Sequence, residues 1–303
     1  MVHGIINIHK EKGYTSHDVV AKLRGIIGQR KIGHTGTLDP DAVGVLPVCL
    51  GKATKLCDML TDKSKVYETV LLLGQATDTQ DISGTIIEEY DTGHLTEVEV
   101  RGCIQDFIGS YSQVPPMYSA IKIDGKKLYE LAREGKEVER RPREVTIYDI
   151  QILGVDLPRV RMEVSCSKGT YIRTLCHDIG SRLKCGGCME ELIRIRVDRF
   201  ELNESCTLSE VEKVKAAGRL ERLILPIDSM FEEYPKIHLT GDALKRVYNG
   251  NTFRLETIEQ KIVDKERVRV YNDNSDFVAL YEYQQEESNF KILKMFFDKH
   301  EMT

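Results

Sequence analysis

Gly33–Leu50 reads GHTGTLDPDAVGVLPVCL, a glycine-punctuated loop that carries one histidine and two carboxylates before it enters a short apolar run. Gly33, Gly36 and Gly44 admit backbone angles that residues with a Cβ avoid, so the segment can close tightly around a ligand. Asp39 precedes Pro40 and is pushed out of the helical region, into an extended or turn conformation that displays its carboxylate. Val45–Leu50 reads as a buried strand that holds the loop in place. Three ordinary readings compete. A Walker A loop fails because Gly51-Lys52 is followed by Ala53, and Leu46 stands where a glycine belongs. An EF-hand fails because Val43 replaces a ligand and Leu50 replaces the bidentate glutamate. A plain turn, with Asp39 capping a backbone amide, stays open on spacing alone.

At 303 residues, 41% hydrophobic and 30% charged, the chain can fill one large domain and a small one and bury a sizeable core. No run approaches the length of a membrane span, and the first residues, Met-Val-His-Gly-Ile-Ile-Asn, lack the basic start and apolar core of a signal peptide. A cytoplasmic location is expected. Of the eight cysteines, Cys185 and Cys188 form a lone CxxC in the turn after a helix that carries Cys176 and His177. Without a second CxxC at ribbon spacing, reduced thiols are expected rather than zinc. The net charge of -5 argues against indiscriminate nucleic-acid binding, but residues 1–60 and 120–143 each carry eight Lys/Arg against five Asp/Glu. Local cations of this kind suit an RNA-facing side.

In chain order, Gly4–Ile8 reads as a strand, and Thr15 or Ser16 caps a helix from Asp18 to Ile27. Thr54–Leu60 reads as a short helix. Lys65–Leu73 alternates as a long strand with Tyr67, Thr69, Leu71 and Leu73 on one side; a core tyrosine is the ordinary account of Tyr67. Gln75–Gly84 reads as a polar loop containing Asp78 and Asp81. Thr96-Glu-Val-Glu99 is a capping box opening a helix to Phe107. Gly109–Arg143 has a different character: Pro115-Pro116, a short strand Ser119–Ile123, and a charged helix Lys126–Glu134. There Tyr118 and Tyr129 lie among Lys122, Lys126, Lys127 and Arg133, a mixture that suits base stacking and phosphate contact but equally an exposed amphipathic helix. Val145–Leu153 and Val160–Cys166 read as paired strands, and Thr170 as the cap of a helix Tyr171–Leu183. Arg173, in the first turn of that helix, opposes the macrodipole, which points to a carboxylate partner. Met189–Val197 reads as a strand, and Thr207 opens a further helix.

Gly33–Gly44 closely resembles the catalytic motif of the TruB family of tRNA pseudouridine-55 synthases. The likeness recurs, in the family's order, at Lys65–Glu68, Thr77–Thr79 with Asp81, Pro116–Lys122 and Ser165–Thr174. It departs at His9-Lys10-Glu11, where members usually have Asp-Lys-Pro: Lys10 is kept, the other two are lost. The resemblance implies an α+β fold: a mixed, largely antiparallel sheet flanked by helices, with an RNA-clasping insertion at 109–143 and a catalytic unit spanning 1–234. A small PUA-like β domain is expected over 235–303, with strands near Val268–Tyr271, Phe277–Tyr283 and Phe290–Phe297. It implies isomerisation of the T-loop uridine of tRNA to pseudouridine, with no cofactor, no metal, no required protein partner and a monomeric enzyme. Asp39 becomes the essential carboxylate, and Arg173 its partner, expected to keep it ionised. Tyr67 and Leu192 enclose the flipped base, Tyr171 lines the pocket, His34 holds the opened loop and Lys10 stands near the substrate. Rival readings are a guide-RNA-dependent relative, an RNA-binding folding helper, and a glycosidase using Asp39 and Asp41, whose closeness in sequence disfavours opposed placement across a sugar.

Overall fold

The computed structural model describes residues 1–254 and 262–297. The chain opens with β1 (Gly4–Lys10), α1 (Ser16–Ile27), β2 (Ile32–His34), β3 (Val43–Leu50), α2 (Cys57–Thr61) and β4 (Lys65–Leu73). Next come β5 (Gln75–Thr77), β6 (Ile86–Glu89), α3 (Glu97–Gln105), β7 (Gly109–Gln113), β8 (Lys122–Ile123), β9 (Lys126–Lys127) and α4 (Leu128–Arg133). The long strands β10 (Arg143–Asp156) and β11 (Arg159–Cys166) are followed by α5 (Ile172–Arg182), β12 (Gly187–Val197), β13 (Phe200–Glu201) and α6 (Leu208–Ala216). The remainder contains β14 (Lys236–His238), α7 (Gly241–Tyr248), β15 (Phe253–Arg254), β16 (Arg267–Tyr271), β17 (Phe277–Gln284) and β18 (Asn289–Met295).

Capping boxes at Thr15, Thr96 and Thr207 start α1, α3 and α6: each threonine accepts from the N3 amide, while an Asp or Glu at N3 accepts from the threonine N–H. The main sheet runs β1-β3-β12-β4-β11-β10-β7, with β2 and β13 attached at its side. All its pairings are antiparallel except the short parallel contact of β12 with β3 at Ile193–Val43 and Arg194–Gly44. α3 and α5 cover one region, where Val100, Ile104, Leu175 and Ile179 meet Leu71, Met162 and Val164. α1 and α6 cover β1 and β3 through Val19, Leu23 and Val211 against Ile6, Ile8 and Val48. The five strands β14-β16-β17-β18-β15 form a second sheet. It shares a core with the first: Leu280 and Phe296 pack with Ile5, Val45, Phe200 and Phe231. The fold is α+β, as expected. The expected C-terminal unit, 235–303, includes residues 255–261 and 298–303, which lie outside the described residues.

Local expectations needed five corrections. Gln75–Gly84 is not all loop, since Gln75–Thr77 pairs with Ile86–Glu89 as a hairpin. Gly109–Gln113 is the edge strand of the main sheet, pairing with Arg143–Ile147. The strand expected at Ser119–Ile123 shrinks to a two-residue pairing with Lys126–Lys127, so the helix starts later, at Leu128. Cys188 lies in β12 rather than in the turn. Thr170 does not cap α5; its hydroxyl donates to the Ser167 carbonyl (3.0 Å), and Tyr171 occupies the N-cap. No helix among the described residues is long and apolar enough to cross a membrane.

Candidate active site

The Asp39 loop joins β2 to β3, and its backbone is held by buried side chains. Ser16 Oγ accepts from the Leu38 N–H (2.9 Å) and donates to the Leu38 carbonyl (3.3 Å). Lys10 Nζ donates to the carbonyls of Pro40 (3.0 Å), Tyr14 (2.6 Å) and Glu11 (3.2 Å). Lys10 is fully buried, and burial pulls its ammonium down to about 8. Its place is therefore beneath the loop rather than beside a substrate. On the other side, Arg194 Nε donates to Val45 O (2.7 Å), Nη1 to Thr37 O (3.4 Å) and Nη2 to Gly36 O (3.2 Å). Gly44 has φ +110°, and a Cβ there would sit 2.2 Å from the Arg194 carbonyl, so the close β3–β12 approach requires glycine.

Arg173 does have the carboxylate partner that its position in the helix demands. Its Nε lies 2.9 Å from Asp39 Oδ2 and its Nη1 3.7 Å from Asp81 Oδ2. The same guanidinium donates to the carbonyls of Thr79 (3.1 Å) and Tyr118 (3.0 Å), so it ties the Asp39 loop, the Asp81 turn and the segment after β7 together. Asp81 is itself fixed by donors from Thr79 Oγ1 (2.8 Å) and the Ser83 N–H (3.0 Å). Surrounding protein raises the Asp39 carboxyl above its ordinary value; Arg173 pulls it down, and Asp81 pushes it up. Arg173 therefore favours the charged form of Asp39, as expected of a paired cation, while burial acts against it. Two-fifths of the Asp39 side chain is still open to solvent, against 5% for Arg173.

Tyr67 is buried on β4, opposite Val164 on one side and Arg194 on the other. Its phenol is raised by burial and lowered by the Arg194 charge beside it. Leu192 lies opposite Thr69, two residues along β4, and packs half-buried on the same core. Tyr171, at the start of α5, has its backbone paired with Gln113, whose Oε1 accepts from the Tyr171 N–H (2.8 Å) and whose Nε2 donates to its carbonyl (3.0 Å). His34 meets His17 edge to face, with ring centroids 5.2 Å apart. Burial first, and then the neighbouring His17 and Arg194, lower its pKa to about 4. A neutral imidazole whose Nδ1 accepts the Gly36 N–H (3.3 Å) carries its proton on Nε2.

Lys122, Lys126, Lys127 and Arg133 gather on the β8–β9 hairpin and α4. Lys127 and Arg133 both lie over the Tyr129 ring, at 5.2 and 5.4 Å from its centroid. Glu134 offsets part of this charge through Lys126 (3.9 Å) and Lys136 (2.7 Å). Among the described residues no group of three or more His, Cys, Asp or Glu side chains is placed to hold a metal ion. Sequence reasoning missed Arg194 and Gln113. The Ile193-Arg-Ile-Arg196 alternation suggests two outward arginines, but a bulge between Arg194 and Arg196 turns the first inward.

The site so assembled pairs one partly open carboxylate with a buried guanidinium, beside a tyrosine and an apolar side chain: groups suited to acting on a sugar while enclosing a base. Residues 24–172 match the TruB family pseudouridylate synthase N-terminal domain, and residues 173–232 the tRNA pseudouridylate synthase B C-terminal domain. A curated relative from Lachnoclostridium phytofermentans, tRNA pseudouridine synthase B, is 50% identical, covering 97% of this chain and 100% of its own length. A second of the same name, from Clostridium perfringens, is 42% identical over 98% of this chain and 100% of its own. Among solved structures, a chain of a Cbf5-Nop10-Gar1 complex superposes with a TM-score of 0.73 at 28% identity, covering 98% of this chain and 86% of that one. The chain therefore belongs to the tRNA pseudouridine synthase B family, enzymes that isomerise uridine in tRNA to pseudouridine.

Proposed function

We propose that the uridine isomerised is the one in the T loop of tRNA, and that Asp39 is the essential carboxylate. In this reaction the C1′–N1 bond breaks, the uracil turns, and a C1′–C5 bond forms; the C5 proton leaves and N1 regains one. Nothing is oxidised or donated. Asp39 acts at the sugar, as nucleophile at C1′ or as base at C2′. The observation that carries the reading is the Asp39–Arg173 pair at 2.9 Å, with the Asp39 charge felt at the buried Tyr67 phenol.

A stacked uracil is out of reach of Asp39, so the nucleotide is flipped out, at a cost of roughly a few kcal/mol. Tyr67 and Leu192 enclose the ring, Tyr171 lines the pocket, and neutral His34 holds the opened loop. Tyr67 also helps remove the C5 proton. The insertion at 109–143, with Lys122, Lys126, Lys127 and Arg133, grips the T arm, and residues 235–303 add RNA contact. The enzyme works as a monomer without protein partner, cofactor or metal.

The test offers purified protein a T-arm stem-loop tritiated at uridine C5. Release of about one tritium per RNA, with neither guide RNA nor metal, is the expected result for one flipped base per site. The likeness to Cbf5 gives a second reading, a guide-dependent enzyme, and release only after a guide is added would establish it instead. Binding without release from stem-loop or full tRNA would leave an RNA-folding helper.

A further inference from the structure

Arg194 heads the largest fully buried side chains among the described residues, at 1% exposure. A buried cation without a carboxylate costs folding energy that an apolar residue in a sheet would not. Its donors go instead to the carbonyls of Gly36, Thr37 and Val45, which bracket Asp39, while its charge lies against the Tyr67 phenol. Lys10 and Ser16 also pin the loop, at Pro40 and Leu38, but of these three Arg194 also reaches Tyr67. Strand pairing enforces this bridge: Arg194 stands opposite Gly44 on β3 and opposite Tyr67 on β4.

We propose that Arg194 is a positioning residue for pseudouridine formation, holding the backbone that presents Asp39 in register with the Tyr67 phenol without touching the RNA. The role rests on the reading of Asp39 as the essential carboxylate. The guanidinium spreads these bonds over Nε, Nη1 and Nη2 and so reaches carbonyls on both sides of Asp39, whereas an ammonium donates from a single point, so lysine does not substitute for it. Misplacement of a reacting group by about 1 Å costs about 100-fold in rate, whereas RNA affinity depends on surface cations elsewhere.

The experiment compares Arg194→Lys, Arg194→Gln and Asp39→Asn in single-turnover tritium release and in T-arm RNA binding. Both Arg194 variants should lose about 100-fold or more in rate while the RNA Kd stays within about threefold. A rate within about threefold of the parent in either folded Arg194 variant, with Asp39→Asn inactive, overturns the proposal and leaves the Asp39 reading standing. Parallel loss of rate and affinity also overturns it, marking a purely structural cation. Turnover by Asp39→Asn removes the Asp39 reading itself. Should the Arg194 variants fail to fold, NMR of the unaltered protein decides. A slowly exchanging Arg194 Nε–H coupled to the Val45 carbonyl supports the role, and free exchange sinks it.

Discussion

Gln113 grips the backbone of Tyr171 with both ends of its side-chain amide, accepting from the N–H at 2.8 Å and donating to the carbonyl at 3.0 Å. Tyr171 is the N-cap of α5 and offers no side-chain cap of its own, so the helix that carries Arg173 takes its start from a neighbouring strand. That strand, β7, is also where the chain leaves the sheet for the Lys-rich hairpin.

Replacing Gln113 by Leu leaves both Tyr171 groups without this partner in a buried setting. The expected loss is about 1–3 kcal/mol of stability, together with slower turnover as Arg173 shifts. Urea midpoints and single-turnover rates read the two effects. An unchanged midpoint would show that the amide contributes nothing.

As the proposed essential carboxylate, Asp39 has to be ionised to act, and burial raises its carboxyl above the ordinary value of 3.8. The turnover rate should therefore fall with decreasing pH along a limb lying above that value. Arg173→Gln removes the charge that lowers the carboxyl, so the limb should move to higher pH. A pH profile of single-turnover rates measures it; a limb that stays or moves down would contradict the assignment.

His34 is held to about 4 in the folded protein against 6.5 for a free side chain. As pH falls through that window the unfolded chain takes up a proton that the folded one refuses, so this group lowers stability below its unfolded value and not above it. His34→Gln should lose that part of the slope. Urea midpoints at about pH 7.5 and about pH 5 should then fall less in the variant than in the parent, and equal losses would refute it.

Cutting the chain after residue 234 removes Leu280 and Phe296 from the core they share with Ile5, Val45 and Phe231. The truncate should melt roughly 5–10 °C lower, apart from any loss of RNA affinity. Calorimetry checks this, and an unshifted transition would show that the two sheets are energetically separate.

Much of this fold is legible because its signals are local. Thr15, Thr96 and Thr207 announce their helices with an acid three residues on, and Lys65–Leu73 alternates in step with its burial. The family motifs bring the Asp39–Arg173 pair within reach of sequence reading. What escaped depends on distant partners. Gly109–Gln113 is short and polar, and becomes a strand only through Arg143–Ile147. The burial of Lys10 and Arg194 is not legible because the carbonyls that absorb their charge come from turns and from other strands.

Strand order also dictates when the enzyme comes into being. β12 lies between β3 and β4, yet it is made long after both. At ordinary rates of synthesis, on the order of ten seconds separate the completion of β4 from that of β12. Until then β3 and β4, which flank Asp39 and carry Tyr67, stand on opposite banks of an unfilled gap, with Arg194 not yet made. The closed sheet thus arrives with a single late insertion, and a ribosome that stops short of it leaves a fragment with two open sheet edges.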